Sequence, residues 1–174
     1  LGPHLHSLEK SAEMAKVSLK MVTPSVLGAA RAVLSEQQKE NGVAVIDLGG
    51  ATTSIAVFEE GDLQYVAVIP LGGVNITNDL AIGLKTDPEV AEKVKVGHAT
   101  AVARKNDERI SLKQDKETIY FDSNDVDEIV EARLDEIFDV IQKELKRAGR
   151  AGQLPSGIVL TGGSAKIKGI AEYA

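Results

Sequence analysis

Apolar residues in the first third of the chain recur at two different spacings. From Leu5 to Met21, the residues Leu5, Leu8, Ala12, Ala15 and Leu19 follow at steps of three and four, which marks one face of a helix that Pro24 ends or interrupts. A second helix is predicted from about Ser25, presenting Val26, Ala29, Ala30, Val33 and Leu34 and stopping at Asn41 and Gly42. Its small residues Gly28, Ala29 and Ala30 predict close packing on a sheet. The period then falls to two or gives way to continuous apolar runs. GVAVIDLGG, TTSIAVFEEGD and LQYVAVIPLGG read as three antiparallel strands, joined by a glycine turn at 49–50 and by EEGD at 59–62.

Helical spacing returns in NITNDLAIGL, with Asn75, Thr77 or Asn78 near its start and Ile82 and Leu84 facing inward. TDPEVAEKVKVGH is predicted as another helix, capped by Asp87, with Pro88 at its first position and Glu89 in its first turn. ISLKQD and ETIYFD, between 101 and 123, alternate as an exposed hairpin with little core content. The longest stripe, Val130, Leu134, Ile137, Phe138, Ile141 and Leu145, predicts a helix from about Asp125 to Ala148. Asp125 and Glu128 form its capping box, and Lys143, Lys146 and Arg147 close its last turn before Gly149. RAGRAGQLPSG is a loop into a last strand, GIVLTGG, and SAKIKGIAEYA begins a final helix. The layout is α/β: a small sheet flanked by helices, with about 75–152 inserted between strands that belong together.

Two strands, more than a hundred residues apart, share one design. VAVIDLGGATTS and GIVLTGGSAK each run from a buried apolar segment into glycine and hydroxyl residues. Consecutive glycines let backbone N–H groups point outward with no Cβ in the way, and such a nest of amides binds phosphate oxygens. Thr52 and Thr53 add hydroxyl donors, and Asp47 beside a phosphate calls for a hydrated magnesium ion between them. The alternative for DLGG is a tight hairpin turn in which the glycines supply left-handed conformations. Neither phrase is a Walker loop or a dinucleotide GxGxxG.

Composition narrows the partners. At 174 residues the chain makes one domain or two small ones. It has no cysteine, which excludes disulfides and thiolate metal sites and suits a reducing compartment. A net charge of −6 with three Phe, three Tyr and no Trp argues against nucleic acid. No apolar run approaches the ~20 residues that cross a bilayer, and no signal peptide is present, so a cytoplasmic location is expected. The opening LGPHLHS lacks Met and reads as an added scar or a cut within a longer protein; His4 and His6 could grip a metal at strand spacing, the alternative being a solvated terminal segment.

VAVIDLGGATTSIAVFEEGDLQYVAVIPLGG with NITNDLAIGL, followed by IVLTGGSAKIKGI, resembles the actin, Hsp70 and hexokinase superfamily, most closely its bacterial cell-division branch, the FtsA family. In that superfamily the first phrase is the second phosphate motif, IPLGG with NITNDLA is similar to the second connecting motif, and LTGGSAKIKG to the adenosine motif. No other DLGG phrase precedes residue 43, so the resemblance is to the C-terminal large domain alone. It implies an actin-like (ribonuclease H-like) subdomain IIA, at 1–74 and 153–174, with an inserted α+β subdomain IIB at 75–152. It also implies ATP and Mg2+ as cofactors of the complete protein.

By the same resemblance Asp47 lies near the magnesium and its waters, while Gly49, Gly50, Ala51, Thr52 and Thr53 lie against the phosphates. Gly162 and Gly163 face ribose and adenine, with Ser164 beside them. Where this chain has Ala51 the family usually has glycine, and a positive φ there would strain an alanine. Glu131 and Arg133 fall where relatives place polar adenine-pocket residues; the alternative is a solvated helix face with Arg133 paired to Glu136 at i,i+3.

Three functions follow from the resemblance. The first is an ATP-binding cell-division protein, a weak ATPase only when complete, that polymerises into actin-like filaments and tethers FtsZ filaments at the inner face of the membrane through a C-terminal helix absent from this chain. The second is an interaction module without nucleotide chemistry, in which 75–152 receives the FtsZ C-terminal peptide on a basic rim of Lys85, Lys93, Lys95, Lys143, Lys146 and Arg147. The third is another superfamily member, such as a pilus-assembly relative. Hydrolysis in this fold takes groups from both large domains, so negligible turnover is expected of this chain alone.

Overall fold

The structure, a computed structural model, describes residues 2–102, 104, 109–114 and 117–174. Its strands are β1 (Val43–Leu48), β2 (Thr53–Glu59), β3 (Asp62–Ile69), β4 (Arg109–Gln114), β5 (Glu117–Asp122) and β6 (Ile158–Thr161). Its helices are α1 (Gly2–Met14), α2 (Ser25–Val33), α3 (Glu36–Asn41), α4 (Gly73–Gly83), α5 (Pro88–His98), α6 (Ser123–Arg147) and α7 (Ile170–Tyr173). The main sheet has the order β3-β2-β1-β6, antiparallel except where β6 lies parallel to β1. Strands separated by more than a hundred residues are thus neighbours, with Asp47 opposite Thr161.

The period of two in β1 and β2 sorts their side chains onto two cores. Ala44, Ile46, Leu48, Ile55 and Val57 face one side and join α4, α5 and α6 in one cluster. Val43, Val45 and Ala56 face the other, under Val26, Ala30 and Leu34 of α2 and its C-cap. The long stripe of α6 is buried as its spacing predicts, from Val126 and Val130 through Leu134, Ile137 and Ile141 to Leu145. Burying each such side chain contributes about 2 kcal/mol. The β4–β5 hairpin is also present, and Ile110 and Phe121 anchor it in the main core, more than its thin apolar content suggests.

Several local expectations are corrected. α1 stops at Met14, well before Pro24, with Lys16 at φ 56°, and buries none of its residues. Its stripe is amphipathic, yet Leu5 and Leu8 stay exposed. The second helix is two: Ser35 opens α3 with a capping box, its Oγ accepting from Gln38 N–H at 3.2 Å and its own N–H donating to Gln38 Oε1 at 2.9 Å. Of Gly28, Ala29 and Ala30, only Ala30 is fully buried, and Val33 is exposed. Ile82 is 77% exposed because α4 turns Ile76 and Leu80 inward instead. Asp87 precedes α5 but its side chain makes no cap hydrogen bond. α6 begins earlier than Asp125, capped by Asp122, whose carboxylate accepts from Asn124 N–H at 2.9 Å. The final helix is interrupted by left-handed Gly169 (φ 77°), where a Cβ would strike the Val102 side chain.

Candidate functional site

The turn between β1 and β2 is closed by Gly49 N–H donating to Thr52 O at 3.0 Å. Gly49, Gly50 and Ala51 all avoid positive φ. The glycines are therefore not there for left-handed turn geometry, and Ala51 is unstrained. Gly49 is glycine because a Cβ would fall 2.8 Å from Thr52 O; at Gly50 a Cβ would meet nothing within 4 Å.

The peptide planes of this turn are oriented by α4. The first N–H groups of a helix have no partner within it. Here Gly73 N–H donates to Gly49 O at 2.9 Å and Val74 N–H to Gly50 O at 2.8 Å. In a trans peptide the carbonyl and the following N–H point in opposite directions. With the Gly49 and Gly50 carbonyls turned toward α4, the Gly50 and Ala51 amides face away from it. Among the described residues, the N–H groups of Gly50, Ala51 and Thr52 donate to no intramolecular acceptor. Three successive amides are thus left without an intramolecular acceptor among the described residues.

Thr53 does not join them. It is fully buried in β2 and its hydroxyl donates to Leu71 O at 2.9 Å, a bond that fastens the end of β3 to the turn. Thr52 is exposed at the turn.

β6 brings the second glycine pair to the same place. Gly162 (φ 92°) passes so close to β1 that a Cβ would lie 2.5 Å from both Asp47 Oδ1 and Leu48 O. Only glycine fits there. Asp47 is partly buried, and its carboxylate has no hydrogen-bond or ion-pair partner among the described residues. Ser164 Oγ approaches Gly49 O at 3.4 Å, and a Cβ on Gly73 would fall 2.5 Å from that Oγ.

Of the predicted residues, Gly50, Gly163 and Ser164 line a cavity of about 890 Å3, together with Gly73, with Glu92, Lys95 and His98 of α5, and with Arg104, while Asp47, Gly49, Ala51, Thr52 and Gly162 are not among its lining. Lys95 Nζ donates to Gly73 O at 3.0 Å and to Thr77 Oγ1 at 2.8 Å, and pairs with Glu92 at 2.6 Å. Burial opposes ionisation of Glu92, but hydrogen bonds from Lys95 and Thr77 outweigh it and hold the carboxyl below its ordinary value. Glu92 was not singled out from the sequence, and Lys95 was assigned to the basic rim, not to this cavity, because at i,i+3 on a helix the two look like an ordinary surface pair.

Glu131 and Arg133 do not reach this cavity. Glu131 lines a separate one of about 680 Å3, with Asp135 and Tyr173. Arg133 binds Asp79 of α4 through two bonds, Nε to Oδ2 at 2.5 Å and Nη2 to Oδ1 at 3.0 Å, and also pairs with Glu136. The alternative reading, an i,i+3 pair on the helix, holds for Arg133, with a tie to α4 added. Of the six basic residues proposed as a rim, Lys95 is held by Glu92, Thr77 and Gly73, and Arg147 pairs with Glu144.

The donor set fits a hydrated magnesium ion held mainly by a phosphate ligand. Magnesium keeps several waters and takes one or two carboxylates, not an all-protein cage. Asp47 offers one unpaired carboxylate, and no cluster of three or more His, Asp or Glu able to hold a metal occurs among the described residues.

The fold is actin-like. The crystal structure of MreB5 of Spiroplasma citri bound to ADP superposes with a TM-score of 0.83 over 97% of this chain and 56% of that one, at 21% identity. A chain of the PilM–PilN type IV pilus biogenesis complex gives 0.71 over 97% and 43%, at 16% identity, so the pilus-assembly likeness is one of fold. The family model for cell division protein FtsA matches residues 44–174, and the chain belongs to that family. The FtsA of Bacillus subtilis is 40% identical over 174 residues, covering 98% of this chain and 39% of the relative. That of Pseudomonas aeruginosa is 37% identical over 172 residues, covering 97% and 41%. The chain thus spans well under half the length of these relatives. No described helix is long and apolar enough to cross a membrane.

Proposed function

We propose that this chain supplies one wall of an ATP site in a longer, actin-like cell-division protein. The observation that carries the reading is the row of three unbonded amides, Gly50 to Thr52, beside the unpaired carboxylate of Asp47. The amides would hold phosphate oxygens. Asp47 would hold the waters of a magnesium ion, which neutralises phosphate charge when bound. Gly162, Gly163 and Ser164 would back the sugar and base, and Glu92 would supply an acceptor for a hydroxyl on the same ligand, held in place by Lys95, whose three protons go to Gly73, Thr77 and Glu92. In this reading 1–74 with 153–174 form subdomain IIA and 75–152 the inserted IIB.

The wider role follows from the family. The complete protein would self-associate into filaments and tether FtsZ filaments at the inner face of the cell membrane, using a C-terminal helix outside this chain for attachment and the inserted unit to receive the FtsZ tail. Hydrolysis needs groups from a facing domain, so this chain alone would turn over ATP negligibly.

Amide-shift titrations with Mg-ATP and with an FtsZ tail peptide test the two halves of the proposal. Because α5 belongs to the inserted unit yet lines the cavity, shifts in 75–152 do not by themselves report peptide. Mg-ATP is expected to move Gly50 to Thr52, Gly163 and α5 together; the peptide is expected to leave the glycine turns unmoved. A Mg-ATP titration that leaves Gly50 to Thr52 in place sinks the nucleotide reading.

A further inference from the structure

Thr77 lies one turn into α4, 6% exposed and not among the residues that line the cavity. Three polar groups nevertheless converge on its hydroxyl: Glu92 Oε2 at 2.5 Å, Lys95 Nζ at 2.8 Å and Gly73 O at 3.0 Å. Counting protons orders them. An ammonium only donates, so the hydroxyl accepts from Lys95 and has one proton left to give. The carboxylate is both the nearer and the charged acceptor, and Gly73 O is already served by Lys95 at 3.0 Å. The result is a relay from Gly73 O through Lys95 and Thr77 to Glu92, closed by the Lys95–Glu92 pair.

Each member of this relay has a different relation to the cavity. Glu92 and Lys95 both line it, and Gly73 holds the turn after β1 through Gly49. Thr77 touches all three and would touch no ligand. Resting on the nucleotide reading above, we propose that Thr77 is a positioning residue for nucleotide binding: its hydroxyl holds the Glu92 and Lys95 side chains in the orientation they present to the cavity. A β-branched side chain in a helix has restricted χ1, so the hydroxyl is a fixed post. Glu and Lys are long and rotamer-rich. Holding them before the ligand arrives removes an ordering cost that binding would otherwise carry.

The test compares the wild-type chain with Thr77→Val, Thr77→Ser and Thr77→Ala. One measurement is Mg-ATP affinity from amide shifts at Gly50 to Thr52 and Gly163. The other, made without nucleotide, is the pH titration of the Glu92 carboxyl by carbon-13 NMR. Thr77→Val is expected to weaken Mg-ATP binding about tenfold and to move the Glu92 titration upward, while Thr77→Ser keeps both within about twofold of wild type. Thr77→Ala takes the place of Thr77→Val if the latter does not fold. Equal weakening by Val and Ser would make Thr77 a packing residue and overturn the proposal. Unchanged affinity in Thr77→Val, with Glu92 shifted, would overturn it as well. Absence of a wild-type response to Mg-ATP overturns the nucleotide reading and this inference with it, an outcome told apart from the others because the Glu92 titration is read without ligand.

Discussion

The N–H of Gly73 donates to the carbonyl of Gly49 at 2.9 Å, which joins the glycine pair before α4 to the glycine pair after β1. This contact satisfies a helix end and orients a turn at once. The amides exposed by the turn are a consequence of where α4 begins. Any change that lifts α4 off Gly49 and Gly50 should therefore disorder the nest before it disturbs the sheet.

Gly72→Ala is the most direct such change. A Cβ there would lie 2.6 Å from Gly50 O and 2.8 Å from Gly49 O, and both are backbone atoms that cannot swing aside. The variant is expected to lose about 2 kcal/mol in urea unfolding. Gly50→Ala, with open space at its Cβ and no positive φ, should change stability by less than about 0.5 kcal/mol. Equal costs at the two positions would show that close approach is not why Gly72 is a glycine.

Asp47→Asn separates charge from shape. The carboxylate has no partner to lose, so the variant should unfold at the same urea concentration as wild type or slightly higher. If Asp47 acts through a magnesium ion, wild-type affinity for ATP should fall when EDTA removes the metal, and the affinity of Asp47→Asn should not respond. Calorimetric titration in the two buffers measures this. A variant that keeps the full magnesium dependence removes Asp47 from the metal.

The sheet and the α6 stripe were legible because a period of two or of about 3.6 is written locally, in residues such as Val43 to Leu48 and Val130 to Leu145. Asp47 and the two glycine pairs stood out because their residue types are unusual at strand ends, and the register places those ends side by side. Glu92 did not, and Lys95 was placed on a basic rim instead, since the side of α5 that meets the cavity depends on how the helix docks. Glu131 and Arg133 carried a warning: two positions apart on a helix is about 200°, so they cannot share a face. Thr53 reads as a free hydroxyl in sequence, yet its place in β2 commits that hydroxyl to Leu71. The Ser35 capping box was readable as S-x-x-Q at the point where the apolar spacing gives way to the polar run 35–41.

Arg133 should behave as a strut between α4 and α6. Its guanidinium grips Asp79 through two bonds, with both side chains largely shielded from water, whereas the Arg147 side chain is 72% exposed beside Glu144. Arg133→Ala is expected to cost about 1–2 kcal/mol and Arg147→Ala less than about 0.5 kcal/mol. A double-mutant cycle with Asp79→Ala should return a coupling near 1 kcal/mol. Mg-ATP affinity should be unaffected by Arg133→Ala, and a large loss of affinity would return Arg133 to the nucleotide site.

Two tyrosines tie distant parts of the fold to α6, and both should make stability fall at alkaline pH. Tyr65 OH donates to Glu144 Oε2 at 2.6 Å, and that bond is the main reason its pKa is raised, with burial adding to it. Tyr173 is raised chiefly by burial and then by its bond to Asp135. A phenol whose folded pKa lies above the unfolded value of 10.0 keeps its proton in the native state while the unfolded chain loses it. The stabilisation is complete below pH 10 and is lost as pH climbs toward the folded pKa. Lysines titrate in the same range, so the informative quantity is a difference. Wild type minus Tyr65→Phe, measured by urea unfolding at successive pH values, should be constant up to about pH 9 and then shrink. A difference that stays flat through pH 11 would mean that the Tyr65 proton is not held by Glu144.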